Sequence, residues 1–330
     1  MRGLKRVMRA RRGRLGMTLI EIMISLVLLG IVSGVIMRVV VRQQRFYQGV
    51  NSIMSQRGQL RQATSILPVD LRSVSSVGAD ILVASDSSIE FMVNVGTSIV
   101  CEVPAGGSTL VIPFDTLWSG QVLTTWYGNG LPTAGTTVYV YNDSSVAGNE
   151  EDRWQKFKMT GIAQDASKCL TSFHTVNDAG KKRSVITLTS TEPNDVSTGG
   201  PISRYINVGA PMRFMKRVRY KLFQHSDNKW YLGFSPYDPA TNTYDALSPV
   251  SGPYDAYANT GSGVGFRYYT VDGVEVASGA DSVTRLSIAR VDLIARARTS
   301  ENVRSAGVQN GVQQQYRDSL AVSVMLRNRN

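Results

Sequence analysis

The chain has 330 residues, 42% of them hydrophobic and 18% charged, with a net charge of +11. This composition excludes a disordered polyelectrolyte, because it supplies enough apolar side chains for one large domain or two modest ones. Residues 1–16 hold seven cations and no acid, which leaves +4 for the remaining 314 residues. The excess charge therefore belongs to a basic tail, and it gives little support to a nucleic-acid-binding domain.

Cysteines and histidines are too few for several classes of site. The two cysteines, Cys101 and Cys169, exclude a disulfide-rich scaffold, and no C-x-x-C pair points to zinc or redox chemistry. The two histidines, His174 and His225, lie far apart, which gives metal chemistry poor support. No G-x-S-x-G, Walker or H-E-x-x-H pattern occurs, so we expect neither catalysis nor a cofactor.

An apolar segment directly follows the basic tail. It holds 16 uncharged residues from Ile22 to Met37, and 21 residues counted from Met17, which is about 32 Å of helix. That length matches the hydrocarbon core of a bilayer and predicts a membrane span. The positive-inside rule places residues 1–16 in the cytoplasm and everything after Val41 outside it. No A-x-A-like site follows, which argues against ordinary signal-peptide cleavage and leaves a plain signal anchor as an alternative.

One acid, Glu21, lies near the start of this apolar segment. An unpaired carboxylate in the centre of a membrane span costs about 2.5–3.5 kcal/mol on insertion scales, so a cationic partner is expected. The alternative is an interfacial glutamate that stays hydrated.

The basic leader, Gly16 and the sequence MTLIEIM that follows it resemble the prepilin signature of type IV pilins and type II secretion pseudopilins. In that family a membrane-embedded aspartyl peptidase cuts after the glycine and N-methylates the new first residue. The resemblance implies that residues 1–16 are removed, that Met17 becomes the methylated first residue, and that Glu21 pairs with a neighbouring subunit's N-terminal amine. The chain departs from the pattern in having Met17 instead of the commoner phenylalanine, and Arg38 where major pilins usually carry a helix-kinking proline.

The apolar pattern continues as an amphipathic helix. Helical spacing predicts one buried stripe, formed by Phe46, Val50, Ile53, Met54, Leu60, Leu67 and Leu71. The predicted solvent face holds Arg42, Gln43, Arg45, Gln48, Gln56 and Arg61. Pro68 is expected to end or kink the helix near Leu67. The sequence therefore predicts a spine helix over residues 17–67, about 75 Å long, followed by a head at 68–330.

The head alternates short apolar runs with turn-rich stretches, which is typical of strands and long polar loops. Strands are predicted at 88–95, 98–103, 121–126, 136–141, 213–223 and 229–234, with a turn at Ser226–Asn228 making a hairpin of the last two. A bulged strand is predicted around Leu286, Ile288, Val291 and Leu293, and a terminal strand at Leu320–Leu326. Residues 235–280 are expected to be rich in loops, and Gly261–Gly265 to be a flexible connection. The predicted fold class is α+β, a long N-terminal transmembrane and spine helix followed by a large, mostly antiparallel β-sheet head.

Cys101 and Cys169 lie in the part of the chain expected outside the cytoplasm, where disulfides persist. They are 68 residues apart, and a bridge closing such a loop stabilises a fold by about 4 kcal/mol if loop-closure entropy dominates. The alternative is a pair of buried free thiols.

Three polar clusters have weaker functional interpretations. Oxygen ligands for calcium occur at residues 142–152 and again at Asp238, Asn242 and Asp245, but without D-x-D-x-D-G spacing, which favours solvated loops. One face of the predicted strand at 213–223 is basic, with Arg213, Arg217, Arg219 and Lys221. Such a face can contact nucleic-acid phosphates, although a solvated strand face is the commoner outcome.

Two short segments indicate which members of this family the chain resembles most. Asp70-Leu71-Arg72 resembles the segment after the spine in PilW-like minor pilins and GspJ-like minor pseudopilins, and the sequence LRN at 326–328 resembles the end of PilW-like proteins. The 250 residues from 81 to 330 exceed the usual pseudopilin head, which favours the PilW-like interpretation.

The resemblance implies a structural, non-enzymatic minor type IV pilin that helps initiate, prime or cap a pilus. It would reside in the inner membrane with its head in the periplasm, and then in the filament. Its partners would be other minor and major pilins, the prepilin peptidase and the inner-membrane assembly platform. The alternatives are a minor pseudopilin of a type II secretion system and a membrane-anchored periplasmic enzyme or binding protein.

Overall fold

The computed structural model of the protein describes residues 18–76, 78–105, 108–127, 132–142, 153–170, 175–190, 206–258, 261–304 and 313–326. These residues divide into two compact units. One unit holds 18–54, 300–304 and 313–316, and the other holds the described parts of 55–299 with 317–326.

A long helix, α1, runs from Leu19 to Leu71. The predicted helix end near Leu67 is wrong, because α1 continues through Pro68. Proline has no N–H to donate and its ring crowds the preceding turn, so this position costs about 3 kcal/mol. Burial offsets that cost, since Leu67 and Leu71 on either side of Pro68 are fully buried and each contributes about 1.5–3 kcal/mol.

The buried stripe of α1 is shorter than the sequence pattern predicts. Its buried residues are Gln56, Leu60, Ala63, Leu67, Pro68 and Leu71. Two predicted members of the stripe, Phe46 and Met54, are 67% and 66% exposed. The placement of Gln56 on the solvent face is also wrong, because its Nε2 donates to the main-chain oxygen of Ala297. Helical spacing identifies a face of a helix, but not which turns of that face another element covers.

The larger sheet of the head contains eleven strands among the described residues. They are β1 Ile81–Ala84, β2 Ser88–Ile99, β3 Thr109–Ile112, β4 Thr125–Trp126, β5 Thr137–Asn142, β6 Arg153–Asp165, β7 Arg183–Ser190, β8 Pro211–Gln224, β9 Trp230–Asp238, β10 Thr243–Tyr244 and β11 Ser248–Tyr254. The order is β1-β2-β8-β5-β6-β7-β3, with β4 beside β2, β9 beside β8, and β10 and β11 beside β9. The pairings are antiparallel, so the predicted α+β fold with a large antiparallel head is confirmed.

A smaller sheet has the strand order β13-β12-β14-β15 among the described residues. Its strands are β12 Val264–Tyr269, β13 Glu275–Val276, β14 Arg290–Arg304 and β15 Gln313–Met325. A short helix, α2, lies at Ser282–Arg285 and a 3₁₀ turn at Val176–Asp178.

The hairpin predicted around Ser226–Asn228 is confirmed, since β8 and β9 pair on either side of it. The stretch 235–280, expected to be rich in loops, contains the short strands β10 to β13 with turns and loops between them. In the glycine-rich segment Gly261–Gly265, Gly263 lies against the main chain of Asp255. A Cβ at Gly263 would stand 2.0 Å from the main-chain oxygen of Asp255, so only glycine permits this approach.

Three other predicted strands differ from those in the structure. β2 ends at Ile99, and β4 is limited to Thr125–Trp126. The bulged strand expected to begin at Leu286 begins at Arg290, because α2 precedes it. Asp281 starts α2 by accepting a 2.7 Å hydrogen bond from the N–H of Thr284, which is an N-cap that competes with strand formation.

Two hydrophobic clusters account for most of the core of the second unit. The first joins the last buried turns of α1 to side chains of β1, β2, β8, β9, β12 and β14. The second is formed by β3, β5, β6, β7 and the first half of β8. The end of the spine helix is therefore an integral part of the head's core.

Candidate functional site

The N-terminal end of α1 is capped by Thr18. The N–H of Glu21 donates to the main-chain oxygen of Thr18 at 3.1 Å and approaches its Oγ1 at 3.4 Å. Ser25 Oγ donates to the main-chain oxygen of Glu21 at 2.7 Å. Thr18 and Glu21 have the T-x-x-E spacing of a capping box, which is a signal that the sequence analysis missed.

Glu21 lies in the first turn of α1, and its side chain is exposed. Negative charge is favourable there, because the unpaired N–H groups of a helix start carry a partial positive charge. Among the described residues Glu21 has no ion-pair partner. Gly16 and Met17, the residues of the predicted processing site, lie outside the described residues.

The first half of α1 presents an apolar surface. Among the described residues α1 is the helix long and apolar enough to cross a membrane, and the side chains of its apolar window are not buried. Leu19 and Met37, at the two ends of the segment, are 77% and 63% exposed. Apolar surface on this scale is stable in hydrocarbon or against other apolar helices, since burial is worth about 25 cal/mol per Å².

The segment Asp70-Leu71-Arg72 attaches the end of the spine to the sheet. Tyr220 of β8 donates its hydroxyl hydrogen to Asp70 Oδ2 at 2.7 Å, and the neighbouring Leu71 is fully buried. Burial raises the pKa of Asp70, and the hydrogen bond from Tyr220 opposes that rise in part. Two residues of this segment therefore hold the last helical turn against β8.

The loop that follows α1 is attached by a second buried acid. Asp80 accepts hydrogen bonds from the Tyr139 hydroxyl at 2.8 Å and from the N–H of Ser75 at 2.9 Å. Burial raises the pKa of Asp80, while these hydrogen bonds and the charges of Lys156 and Arg213 oppose the rise. Both acids have structural partners, which points to anchoring of the spine rather than to acid–base catalysis.

Cys101 and Cys169 are joined by a disulfide, with their Cα atoms 5.5 Å apart. Both are buried, at 1% and 2% exposure, and they pack with Val111. Cys169 has φ of 55°, in the left-handed region that non-glycine residues rarely adopt. Its N–H donates to Glu102 Oε2 at 2.6 Å, so a hydrogen bond and the bridge together hold this conformation.

The basic face of β8 is engaged with aromatic rings and an acid. The guanidinium of Arg213 lies 4.1 Å from the ring centre of Trp154, and that of Arg219 lies 4.2 Å from the ring centre of Tyr244. Arg217 donates from Nη2 to Glu90 Oε2 at 2.6 Å, while Lys221 is exposed. Cations held by cation–π contacts and an ion pair are less available to phosphates. No local pattern in the sequence indicates these partners, because they belong to other strands.

The structure describes the second candidate calcium site, but of the first it describes only Asn142. Residues 143–152 of the first lie outside the described residues. In the second, Asp238 accepts from the N–H of Ala240 at 2.9 Å, and Asn242 Oδ1 accepts from the Tyr237 hydroxyl at 3.2 Å. These oxygens stabilise a turn, and Asp245 is exposed beside it. Within the described ranges, no group of three or more His, Cys, Asp and Glu residues is placed to hold a metal ion.

A cleft of about 780 Å³ opens beside this turn. It lies where β8 changes neighbour, from β5 at Met215 to β9 at Val218. Its lining mixes apolar side chains such as Met92 and Trp126 with charged ones such as Lys158, and among its described lining residues there is no histidine or cysteine.

The family described as the prokaryotic N-terminal methylation motif matches residues 11–37. That range contains Gly16, Met17, Glu21 and the apolar first part of α1. Comparison with curated proteins and with solved structures finds no match. The motif is the signal of type IV pilins and pseudopilins, and it supports a prepilin-like chain. Together with the apolar helix, it supports anchoring in a membrane through α1.

Proposed function

We propose that this prepilin-like chain matures into a minor type IV pilin, a structural subunit that helps to initiate, prime or cap a pilus. The observation that carries the proposal is Glu21, the single acid in the exposed apolar part of α1 and a member of the matched motif. If the leader is removed after Gly16, Glu21 becomes the fifth residue of the mature chain.

The physical role of Glu21 follows from its surroundings. In the bilayer its carboxylate is expensive, by about 2.5–3.5 kcal/mol at the centre of a span and less near the interface. In a filament of packed apolar helices, the N-terminal amine of a neighbouring subunit supplies the missing positive charge. A buried carboxylate is tolerated when a cation and hydrogen bonds compensate it. The pairing therefore favours the filament over the membrane for this part of the chain.

Three features support a minor rather than a major subunit. Arg38 occupies the place of the proline usual in major pilins, and the head is large, with 250 residues from 81 to 330. Asp70-Leu71-Arg72 resembles the segment of PilW-like minor pilins, and it anchors the spine to the head through the Tyr220 hydrogen bond. On this proposal the subunit resides in the inner membrane with a periplasmic head, and then joins other minor and major pilins in the filament.

The processing site is tested by intact-mass analysis of the protein purified from the membrane. We expect wild-type chain that lacks residues 1–16 and begins at a methylated Met17. Gly16→Arg should retain the full leader, because the peptidase must accommodate a small residue beside the scissile bond. A wild-type chain that still begins at Met1 would contradict the proposal.

The assembly role is tested by Glu21→Ala, with Ser25→Ala as a matched control one helical turn away. Glu21→Ala should still be inserted and cleaved, because an apolar residue replaces a charge and the scissile bond is unchanged. It should accumulate in the inner membrane and be depleted from sheared filaments, whereas Ser25→Ala should behave as wild type. Equal amounts of Glu21→Ala and wild-type protein in sheared filaments would refute the pairing role.

The motif is shared with pseudopilins, so the same fractionation separates the two systems. A minor pilin should be recovered from sheared surface pili, and its deletion should reduce their number. Deletion of a pseudopilin should instead retain secreted proteins in the periplasm and leave the surface pili intact.

A further inference from the structure

Three arginines follow the apolar segment of α1 on one side of the helix. Between Leu19 and Met37 the one charged residue is Glu21, and Arg38 comes directly afterwards. Arg42 and Arg45 follow at intervals of four and three residues, so at about 100° per residue the three side chains lie within an arc of about 60°. We call Arg38, Arg42 and Arg45 the arginine row. It extends about 10 Å along the helix axis.

The arginine row has no acid on its own helix to neutralise it. The sequence contains no aspartate or glutamate between Glu21 and Asp70, so no ion pair across one helical turn is available. The three side chains are exposed, and among the described residues they have no ion-pair partner. Arg57, farther along α1, differs because its Nε lies 3.1 Å from Asp318 Oδ2. Within the described part of the chain, no carboxylate neutralises the row.

The position of the row along the helix indicates which anions lie near it. The apolar residues from Leu19 to Met37 extend about 28 Å, close to the roughly 30 Å of a bilayer's hydrocarbon core. A helix that spans the membrane with this segment places Arg38 at the boundary and Arg42 about 6 Å beyond it, within the headgroup layer. Arg45 lies about 10 Å beyond Arg38, at the outer edge of that layer, and helical side chains tilt back toward the N-terminus and so toward the membrane. Arginine suits this layer, because its apolar stem stays along the hydrocarbon while its guanidinium reaches the polar groups.

We propose that the arginine row binds the phosphate groups of anionic phospholipids at the membrane face where the apolar segment of α1 ends. The proposal rests on the membrane-spanning part of the proposed function and not on the filament. Guanidinium groups form paired hydrogen bonds with phosphate oxygens, which gives this contact geometry as well as charge. The seven cations of the leader outnumber the row, so the leader still sets the orientation of the span.

Lipid binding by the row also bears on how the subunit leaves the membrane. Each cation near an anionic surface strengthens its attraction about fivefold, so the row contributes on the order of 100-fold at low salt. A subunit that moves into a filament must exchange these phosphates for other anions. The row therefore holds the span at a defined depth until assembly supplies them.

The test uses the processed protein purified from the membrane in a non-ionic detergent, titrated with phosphatidylglycerol or with phosphatidylethanolamine and followed by native mass spectrometry. We expect tighter binding of phosphatidylglycerol, with an apparent Kd that rises about fivefold for Arg42→Gln and at least tenfold when the whole row is changed to Gln. Changing the row to Lys preserves the charge but not the paired hydrogen bonds, so the Kd should lie between those of the wild type and the Gln row. Arg61→Gln, an exposed arginine farther along the same helix, is the matched control and should bind as wild type.

Equal phosphatidylglycerol affinity for the wild type and the Gln row would overturn the proposal, as would an equal loss for Arg61→Gln. Displacement by inorganic phosphate at a concentration equal to the lipid's would show that free phosphate is the ligand, and would overturn the lipid assignment. Circular dichroism of each variant checks that α1 is intact. Intact mass separates the two hypotheses: lost lipid selectivity in a normally processed chain contradicts this inference alone, whereas an unprocessed wild-type chain contradicts the proposed function.

Discussion

Removal of the bridge between Cys101 and Cys169 tests the covalent framework of the head. The cysteines are 68 residues apart, and the loop between them contains β3 to β6. Closing a loop of this length removes conformational entropy from the unfolded chain worth about 4 kcal/mol at 25 °C. Alanine at both positions removes only two small side chains, so the entropic contribution should dominate. We expect Cys101→Ala/Cys169→Ala to lose about 4 kcal/mol of unfolding free energy.

Tryptophan fluorescence of the full-length protein in detergent suits this measurement, because its four tryptophans all lie in the head. For a folded unit of 150–250 residues, a loss of about 4 kcal/mol corresponds to a fall in Tm of about 8–16 °C. Reductant provides the matched control. It should lower the Tm of the wild type to that of the variant and leave the variant unchanged.

Two results would refute this reasoning in different ways. Non-reducing mass mapping of the wild type that recovers Cys101 and Cys169 as free thiols would show that the bridge is absent from the protein in solution. A bridged wild type whose Tm lies within about 2 °C of the variant's would show that loop closure contributes little, because the unfolded chain is already restricted.

Two further predictions concern the attachment and the outer loops of the head. Leu71→Ala should lower the unfolding free energy by about 2–5 kcal/mol, because it leaves a cavity at a fully buried position. Val69→Ala, at a site that is 66% exposed, should change the unfolding free energy by no more than about 0.5 kcal/mol. Equal losses for the two variants would contradict the packing described for α1. Burial acts to raise the pKa of Asp178, but four hydrogen bonds outweigh this effect and hold the pKa well below the usual range. The donors are the N–H groups of Thr175 and Trp118, the Lys181 ammonium and the Thr175 hydroxyl. The folded-state pKa lies below the unfolded one, so this carboxylate stabilises the fold above about pH 4 and loses that effect on acidification. The stability gap between wild type and Asp178→Asn should therefore shrink as pH falls from 6 to 2.5, and a constant gap in denaturant titrations would contradict this assignment.

Local sequence was sufficient for the features whose physical signal lies within a few neighbouring residues. The apolar segment after Met17 predicts a membrane helix because its length and lack of charge are properties of that segment alone. The alternation along Arg213–Phe223 predicts β8, and the turn at Ser226–Asn228 predicts its hairpin, because side-chain period and turn chemistry are both local. The prepilin signature is likewise contiguous, which is why the leader and Glu21 were recognisable from the sequence.

The tertiary structure decided the features that depend on residues far apart in the chain. Pro68 stays inside α1 because the leucines on both sides of it are buried in the head's core. Arg217 is engaged with an acid 127 residues away, and Asp70 with a tyrosine 150 residues away, so neither pairing has a local pattern. The energy of burial and of ion pairing depends on which strands become neighbours, and only the folded chain brings those strands together.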